Sequence, residues 1–439
     1  MGPQHLSCRL AVHAIVLGIC LLGNGCGSTP NVGSSPSDPR FTDDEATKPF
    51  DTLPPDAPRL QEVEPNDSLT EPSATGAVID RGLFIDGRLS STNDLDVFEL
   101  GPVDSGDLVS VRIETSAEVF LKAVLFDSDD RLLAPGFSGA TESGNMLTMS
   151  HAARLASGGC SLAVAACGQR FNAVGDYEAA VVFQRHQSVP PPTAQRVLLN
   201  FDGAAAVAST SFADTWIDPF DAAAISPQFA GHSDQIAQMV VEMVRGSFLD
   251  LHVTVIASWE AFEPAEHLSI VHVGAVGGGV LGLAENVDAY NADPEDEAVI
   301  FVDAFGQFMV LEPSVEEIAT ALANVTTHEI GHLLGLEHTR GPKSVMDVSA
   351  SLGHLVRRRS FGTFPLDAAL FPLGRQDSPA ILLQAVGGDA ESLAERLADE
   401  SSDEPGRVLP DDAETYPVEY PVVPWCSCGL GDRAPAEQP

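Results

Sequence analysis

Residues 328 to 338 read His-Glu-Ile-Gly-His-Leu-Leu-Gly-Leu-Glu-His. His328 and His332 are four residues apart, so both imidazoles project from the same face if the segment is a helix. Glu329 places an acid between them, and Gly335 allows the chain to turn and bring His338 round as a third nitrogen donor. Three protein ligands leave the fourth position of a zinc ion open, which is typical of a catalytic site. The stretch therefore predicts a hydrolytic metal centre.

The residues before the motif predict a helix. Ser314 and Glu317 have the Ser-x-x-Glu spacing of a capping box. Apolar residues then recur at helical spacing up to the first histidine. The alternative interpretation is a histidine-rich surface helix. The motif favours a metal site, because the three histidines, the acid and the glycine together are far more specific than HExxH alone.

The extended motif resembles that of the metzincin clan of zinc endopeptidases and is most similar to the matrixin branch. Ser344-Val345-Met346-Asp347, eight residues beyond His338, resembles the Met-turn of that clan, in which Met346 would form an apolar floor beneath the metal. Thr339 stands where matrixins usually carry Ser, and Val348 where other branches place a Tyr. The resemblance implies an α+β domain with a twisted mixed sheet, long helices and a zinc cleft.

The chemistry implied by this resemblance is zinc-dependent peptide hydrolysis. One catalytic Zn²⁺ would be held by His328, His332 and His338. Glu329 would be the general base that takes a proton from water and later delivers it to the leaving amine. In the family a peptide substrate lies along an edge strand, and the candidate residues for it are Gly282, Leu283 and Ala284.

Short β-branched runs and one amphipathic segment precede the motif. They predict strands at 196–202, 251–257, 268–273 and 299–302, and a helix at 233–249 with Ser233 as N-cap. The acidic loop 288–297 is interpreted either as a solvated loop or as a Ca²⁺ site with oxygen ligands. A second, structural zinc at His267 and His272 is a weaker hypothesis, because no flanking ligand pattern supports it.

The N-terminus predicts export. Arg9 precedes an apolar run at 10–22 that is shorter than a membrane span and typical of a signal peptide. The following residues resemble a lipobox, which implies that Cys26 is lipidated and that 1–26 is a lipoprotein signal. Free secretion and a retained membrane anchor are the alternatives. Residues 27–60 are rich in Ser, Pro and Gly and predict a disordered tether.

Residues 61–186 predict an all-β sandwich, because short alternating runs are separated by Gly, Asp and Ser turns. Glu-Pro-Asn-Asp-Ser at 64–68 and Asp94-Leu95-Asp96-Val97-Phe98 resemble the pre-peptidase domains attached to secreted bacterial proteases. This resemblance implies a chaperoning, targeting or matrix-binding accessory. Asp94 and Asp96 are interpreted as turn residues, with Ca²⁺ ligation as the alternative.

Four cysteines remain once the signal segment and Cys26 are set aside, and an exported chain makes disulfides the default expectation. Cys160–Cys167 is the simplest pairing, whereas Cys426 and Cys428 are too close for an unstrained bridge to each other. Four cysteines allow three connectivities, so the pairing stays open.

The chain carries 63 acidic and 23 basic residues, a net charge of −40. This charge argues against nucleic acids and anionic membrane faces as partners. The basic run 357–359 is interpreted as a solvated loop, with a nick site and a substrate rim as alternatives. Residues 388–439 predict an acidic tail, disordered beyond a helix at 390–397.

Two functions remain from the sequence. The first is an exported, monomeric zinc endopeptidase that acts on proteins or peptides through a domain at 187–387. The alternative is a non-catalytic surface or adhesion lipoprotein with a metzincin-like domain. Glu329 favours the enzyme, because a domain kept for binding has no chemical need of a base there.

Overall fold

The structure is a computed structural model that describes residues 50, 53–54, 56–74, 82–116, 119–140, 144–167, 174–189, 191–205, 216–262, 267–277, 280–348 and 351–402. The predictions for the signal segment, Cys26, Cys426, Cys428 and the tail beyond 402 lie outside these residues. Within the described ranges, none of the helices has the length and apolarity needed to cross a membrane.

The described residues between 59 and 184 form two packed β-sheets. The strands are β1 (Arg59–Gln61), β2 (Ser73–Ala74), β3 (Gly82–Leu89), β4 (Leu95–Val103), β5 (Leu108–Thr115), β6 (Leu121–Asp127), β7 (Leu132–Phe137), β8 (Gly139–Ala140), β9 (Asn145–Ala152), β10 (Ser157–Ala166) and β11 (Gly175–Gln184). One sheet has the order β1-β3-β11-β5-β9-β8 and the other β2-β4-β10-β6-β7. Alternating apolar residues of both sheets, such as Ile85, Val111 and Leu125, fill the space between them.

The sandwich begins earlier in the chain than the sequence predicted. β1 pairs in parallel with β3, Arg59 opposite Phe84, although residues 27–60 were expected to form a tether. Phe50 and Leu53 pack on the outer face of the same sheet, against Val182. The last residues of the predicted tether therefore contribute apolar contacts and a strand.

The second half of the described chain is a mixed α+β unit. Its strands are β12 (Gln195–Asn200), β13 (Val253–Ala257), β14 (Leu268–Gly274), β15 (Gly282–Ala284), β16 (Glu297–Phe301), β17 (Thr363–Pro365) and β18 (Arg375–Asp377). The main sheet has the order β13-β12-β14-β16-β15, in which β15 alone runs antiparallel to its neighbour and lies at one edge. β17 and β18 form a separate antiparallel pair.

The helices of this unit are α1 (Ser233–Ser247), α2 (Val315–Leu333), α3 (Leu352–Leu355), α4 (Ser378–Ala385) and α5 (Ala390–Ser402). Three 3-10 helices, at Ala222–Ala224, Pro227–Phe229 and Val302–Leu311, connect them to the strands. α1 and α2 pack together over the main sheet, and their apolar residues share one core with β12, β14 and β16. α5 continues five residues beyond the predicted 390–397 and buries Leu393.

The predicted start of α2 is confirmed, whereas the predicted N-cap of α1 is wrong. The capping box of α2 is confirmed: Ser314 Oγ accepts from Glu317 N at 3.1 Å, and Glu317 Oε2 accepts from Ser314 N at 2.8 Å. Ser233, in contrast, is the first residue of α1, and His232 precedes it as N-cap without a side-chain cap bond. The Ser233 hydroxyl instead accepts from Ala222 N, because the preceding 3-10 helix folds back onto the start of α1.

Candidate metal centre

Helix α2 carries the first two histidines into the interior of the protein. Residues 318–333 are all buried, because the helix packs against α1 on one side and the main sheet on the other. His328, Glu329 and His332 are each 0% exposed. Burying three titratable side chains within five residues costs free energy unless they are paired or bind an ion. Their burial therefore indicates that an ion binds at this point of the helix.

The ring nitrogens of the three motif histidines converge. His332 Nε2 lies 3.0 Å from His328 Nε2 and 3.1 Å from His338 Nε2. A tetrahedral zinc ion about 2.05 Å from each nitrogen would separate the nitrogens by about 3.3 Å. Among the described residues this trio is one of three groups close enough to hold a metal ion, and the other two contain only carboxylates. The donor set and its spacing therefore fit zinc.

Backbone carbonyls orient two of the imidazoles. His328 Nδ1 lies 2.8 Å from the Val345 carbonyl oxygen, and His332 Nδ1 lies 2.7 Å from the Leu336 carbonyl oxygen. Since a carbonyl can only accept, each Nδ1 carries the proton and donates it. The Nε2 lone pairs are then directed to the centre of the trio, which is the arrangement that metal-ligating histidines require.

Burial keeps all three imidazoles neutral. It lowers the pKa of His328 and His332 well below the usual range, because the charged ring loses its hydration and the neighbouring imidazoles repel it. Burial also lowers the pKa of His338 to about 4, although Asp367 and Asp347 act in the opposite direction. The neutral imidazole is the form that binds a metal, so the site is ready for one at neutral pH.

Gly335 makes the turn that returns the chain to the metal centre. Its φ is +90°, and a Cβ there would lie 2.9 Å from the Asp288 carbonyl oxygen and 3.1 Å from Ala289 Cα. Both the conformation and the close backbone contact exclude a side chain. The turn brings His338 beside His332 within six residues, as the motif predicted.

The edge strand passes directly over Glu329. A Cβ on Gly282 of β15 would lie 2.3 Å from Glu329 Oε1 and 2.8 Å from Val325 Cγ1. The carboxylate therefore occupies the space that a side chain at this position would fill. The structure places the three candidate edge residues, Gly282, Leu283 and Ala284, on the sheet edge next to the predicted base.

The predicted Met-turn packs against the motif helix and the chain beyond His338. Met346 is 0% exposed, and its Sδ would lie 2.7 Å from a Cβ on Gly331 of the motif helix. Thr339 ties the turn to the third histidine: its N donates to the Met346 carbonyl at 2.9 Å, and its Oγ1 lies 2.7 Å from Ser344 Oγ. Threonine in place of the usual serine keeps the hydroxyl, so this departure leaves the contact intact.

Residues 258–356 match the family described as Matrixin, a peptidase family. The chain carries a zinc metallopeptidase domain. The matched residues include the edge strand, the three histidines and the Met-turn, so the resemblance predicted from the motif is confirmed over this matrixin segment. A search of curated proteins found no match to the chain.

Three solved structures are similar to parts of the chain. A zinc-dependent peptidase from Methanocorpusculum labreanum has 14% identity and a TM-score of 0.23, covering 37% of this chain and 93% of its own. Archaemetzincin from Methanopyrus kandleri has 16% identity and a TM-score of 0.23, covering 39% and 91%. The pre-peptidase C-terminal domain of a Bacillus anthracis collagenase has 17% identity and a TM-score of 0.18, covering 30% and 97%.

Arg359, just beyond the matrixin segment, is buried beneath the Met-turn, so the interpretation of 357–359 as a solvated loop is wrong for this residue. Its side chain is 0% exposed, and Nη2 lies 3.3 Å from Asp347 Oδ2. Nη2 also donates to the Pro342 carbonyl at 2.9 Å. Only Arg358 of the run is exposed. Sequence alone could not separate the three arginines, because the pairing depends on how the chain folds back after α3.

Two other predicted metal sites, at His267 and His272 and in the acidic loop 288–297, do not assemble within the described residues. His272 Nδ1 lies 3.0 Å from Asn200 Nδ2, and none of the metal-competent groups includes His267 or His272. None includes a residue of the acidic loop 288–297 either. In that loop Asp288 accepts from Asp293 N, and Asp296 accepts from Ser269 Oγ. These acids support the loop and the adjacent strand.

The predicted Cys160–Cys167 bridge is wrong. Cys160 is a free thiol, 0% exposed in the core of the sandwich. It lies on β10, and Cys167 follows directly after the end of that strand. Seven residues of extended chain span about 23 Å, far more than the Cα separation of a disulfide. No disulfide joins two cysteines of the described part of the chain.

Replacing Arg359 is expected to weaken the Met-turn. Arg359→Met removes the guanidinium that pairs with the buried Asp347 carboxylate, which costs about 3–5 kcal/mol of unfolding free energy. Urea unfolding followed by circular dichroism measures this loss. Arg358→Met, which changes an exposed neighbour, should leave the unfolding free energy within about 0.5 kcal/mol of the wild type. Equal stability of the two variants would contradict a supporting role for Arg359.

Proposed function

We propose that this protein is an exported zinc endopeptidase of the metzincin type. One observation carries the proposal: the Nε2 atoms of three buried, neutral imidazoles converge, with that of His332 at 3.0 and 3.1 Å from the other two, and the Glu329 carboxylate lies between their helix and the edge strand β15. A structural zinc site has four protein ligands and no need of a neighbouring acid, whereas this site offers three histidines and has Glu329 beside them. The match of residues 258–356 to a peptidase family supports the same conclusion.

Zinc, when bound, would supply a Lewis acid that polarises the scissile carbonyl and makes water a stronger acid. Glu329 takes a proton from that water as it attacks the carbonyl carbon, and then delivers the proton to the nitrogen of the departing amine. The carboxylate starts this cycle ionised and ends it ionised, so one residue performs both transfers. Met346 and the buried imidazoles exclude solvent from beneath the site.

The edge strand β15 is the proposed binding site for the peptide backbone. Among the strands of the described residues, β15 pairs with β16, Leu283 opposite Val299, and lies at the end of the sheet order. An extended peptide can add to such an edge through main-chain hydrogen bonds. Gly282 lies against Glu329, so a peptide paired with this strand passes the base.

The alternative is a non-catalytic surface or adhesion lipoprotein that retains a metzincin-like domain. In such a protein the histidine cluster would serve folding alone, and the acid at 329 would have no chemical task. The two functions differ in whether Glu329 is needed for turnover, so a variant at this residue separates them.

The central experiment compares the wild-type protein with Glu329→Gln on casein and on a quenched fluorescent peptide library. The glutamine has nearly the same shape but cannot accept the proton, so kcat/KM should fall by a factor of about 10²–10⁴. Chelation should abolish activity and added zinc should restore it. Zinc content is measured in parallel, and Glu316→Gln on the exposed face of α2 is the matched control.

The outcomes separate the candidates. Activity that is lost in Glu329→Gln but kept in Glu316→Gln, with equal zinc content in all three proteins, supports the endopeptidase. A zinc-loaded wild-type protein that cleaves none of the substrates supports the adhesion alternative. Activity that survives in Glu329→Gln would exclude this residue as the base.

Gly282→Ala tests the contact between the edge strand and the base. The new methyl group would overlap Glu329 Oε1 and Val325 Cγ1, so the carboxylate must move from its position. A base displaced by about 1 Å lowers kcat/KM by about 10²-fold, while zinc content stays unchanged. Gly158→Ala is the control, because its nearest neighbour would be Ser128 Oγ at 3.8 Å. Full activity of Gly282→Ala would show that this contact does not position the carboxylate.

We also propose a calcium ion in the sandwich. Glu62, Glu64 and Asp96 bring carboxylate oxygens within 4.8 Å of one another, and Asp67 and Asp94 join Glu64 in a second such group. Asn66 and Asp96 are 0% exposed, yet Asp96 Oδ1 and both polar side-chain atoms of Asn66 lack hydrogen-bond partners among the described residues. Burial raises the pKa of Asp96 to about 8, so the ionised carboxylate is unfavourable there without a cation.

Calcium should therefore raise the melting temperature of the wild-type protein. Asp96→Asn removes one ligand charge and should abolish this shift. Asp176→Asn, a change at an exposed carboxylate of the same sandwich, should retain it. Thermal unfolding with calcium or with a chelator measures the effect. Equal shifts in the two variants would place the ion elsewhere.

The proposed location is the cell envelope, with Cys26 as the lipidated residue and protein or peptide substrates as partners. A monomer without nucleic-acid partners, attached to the membrane only through the lipid, is part of this proposal. The wild-type protein should incorporate a labelled fatty acid and sediment with membranes in a bacterial host, whereas Cys26→Ala should do neither. Label on both proteins, or on neither, would contradict lipidation at Cys26.

A further inference from the structure

The β-sandwich contacts the segment 363–377, which follows the Met-turn and includes β17 and β18. An apolar cluster crosses from the five-stranded sheet to this segment: it comprises Val97, Val124, Phe126, Leu132, Ala163 and Ala165 on one side and Leu366, Leu370 and Phe371 on the other. The rings of Phe126 and Phe371 meet edge to face at 5.9 Å. A Cβ on Gly374 would lie 2.1 Å from Phe126 Cε1, so the two surfaces fit closely.

Lys122 supplies the polar contact at the centre of this interface. It lies on β6, is 8% exposed, and donates from Nζ to the carbonyls of Ala368 at 3.1 Å and Ala369 at 3.0 Å. Its ammonium group also lies 5.8 Å from the centre of the Phe371 ring. Arg131 and Asp377 add an ion pair at 3.5 Å on the rim. Because a buried ammonium group needs both of these acceptors, the contact fixes the position of the sandwich against the segment 363–377.

The same segment holds the residues on either side of the third histidine. Asp367 N donates to the His338 carbonyl at 3.0 Å, and Arg340 N donates to the Pro365 carbonyl at 2.8 Å. Gln376 is fully buried. Its side-chain oxygen accepts from Glu337 N at 2.8 Å, and its side-chain nitrogen donates to the Glu337 carbonyl at 2.9 Å. The backbone of 337–340 is therefore fixed by a segment that the sandwich covers from the other side.

A second contact reaches the other side of the glycine turn. Tyr290 belongs to the loop that lies against Gly335, and its hydroxyl lies 2.6 Å from Nδ1 of His151 in the sandwich. The guanidinium of Arg154 lies 5.1 Å from the centre of the Tyr290 ring. Asp288, two residues earlier in this loop, donates from N to the His332 carbonyl at 2.9 Å.

We propose that the N-terminal sandwich positions His338, so that the complete zinc site depends on contacts from residues more than 140 positions earlier in the chain. His328 and His332 are held by the helix itself, whereas His338 lies on irregular chain beyond it. That chain is supported by 288–290 on one side and 363–377 on the other, and the sandwich contacts both. Lys122 and Tyr290 are positioning residues in this arrangement. The inference rests on the proposed zinc site and assigns the sandwich a task beyond that of an accessory.

The test measures zinc affinity in the full chain by competition with a chromophoric chelator. Lys122→Met keeps the apolar stem and removes the donors, and Tyr290→Phe removes only the hydroxyl. Each should weaken zinc binding by about threefold to tenfold, less than the loss of about 10–100-fold that is typical when a direct hydrogen-bond partner of a metal ligand is removed, because these residues act through the backbone around His338. The double variant should be weaker than either. Arg88→Met is the matched control, because it changes a basic residue of the sandwich that pairs with exposed Asp176 on the next strand of the six-stranded sheet.

The visible spectrum of the cobalt-substituted protein adds a readout that stability alone would not change. Tetrahedral Co²⁺ absorbs strongly, so displacement of His338 should lower and shift the bands in the two interface variants but not in Arg88→Met. Circular dichroism at the assay temperature confirms that each variant is folded. Unchanged zinc affinity and cobalt spectra in both folded variants would overturn the proposal, as would an equal loss in Arg88→Met.

These readouts do not depend on turnover. If the wild-type protein binds zinc tightly and cleaves no peptide, the proposed function fails while the affinities of the variants still decide the role of the sandwich. If the wild-type protein binds no zinc, both proposals are overturned.

Discussion

The structure depends on one constraint: three neutral imidazoles must bring their Nε2 atoms together inside a buried core, with the Nε2 of His332 3.0 and 3.1 Å from the other two. Lone pairs at this distance repel, and burial removes the water that could separate them. A bound cation offsets both penalties, which couples folding of this region to metal binding. The burial of α2, the carbonyls that accept from Nδ1 and the sharp turn at Gly335 all serve this convergence.

The constraint falls unequally on the three ligands. His328 and His332 need only a helix, because a separation of four residues places both rings on one face. His338 needs a turn, a returning chain and neighbours that hold the chain in place. The Met-turn provides part of this support through Thr339, and Arg359 anchors the turn through Asp347. The 363–377 segment and the sandwich that contacts it provide the rest of this support. His338, the ligand that lies outside the helix, is therefore supported by the residues most distant from it in the sequence.

The errors of the sequence-based expectations have a common cause. A run of three arginines looks solvated, yet one of them is the buried partner of an acid twelve residues earlier. Two cysteines seven residues apart look like a bridge, yet one extended strand holds them far apart. Ser233 was predicted to be the N-cap of a helix, yet its hydroxyl accepts a hydrogen bond from Ala222 N in a preceding 3-10 helix. In each case the local pattern was sound, and a neighbour distant in sequence or a change of backbone conformation decided the outcome.

The sequence by itself determined the metal donors, the helix that carries two of them, its capping box and the β-rich character of the N-terminal half, because these follow from spacing and periodicity along a short stretch of chain. Only the tertiary structure decided that Gly282 lies against Glu329, that Arg359 supports the Met-turn and that the sandwich rests on the chain around His338. Each of these contacts joins residues of different structural elements, and the local sequence does not indicate that they lie close together in space. They form when the apolar faces of the sheets and helices pack against one another in the folded chain.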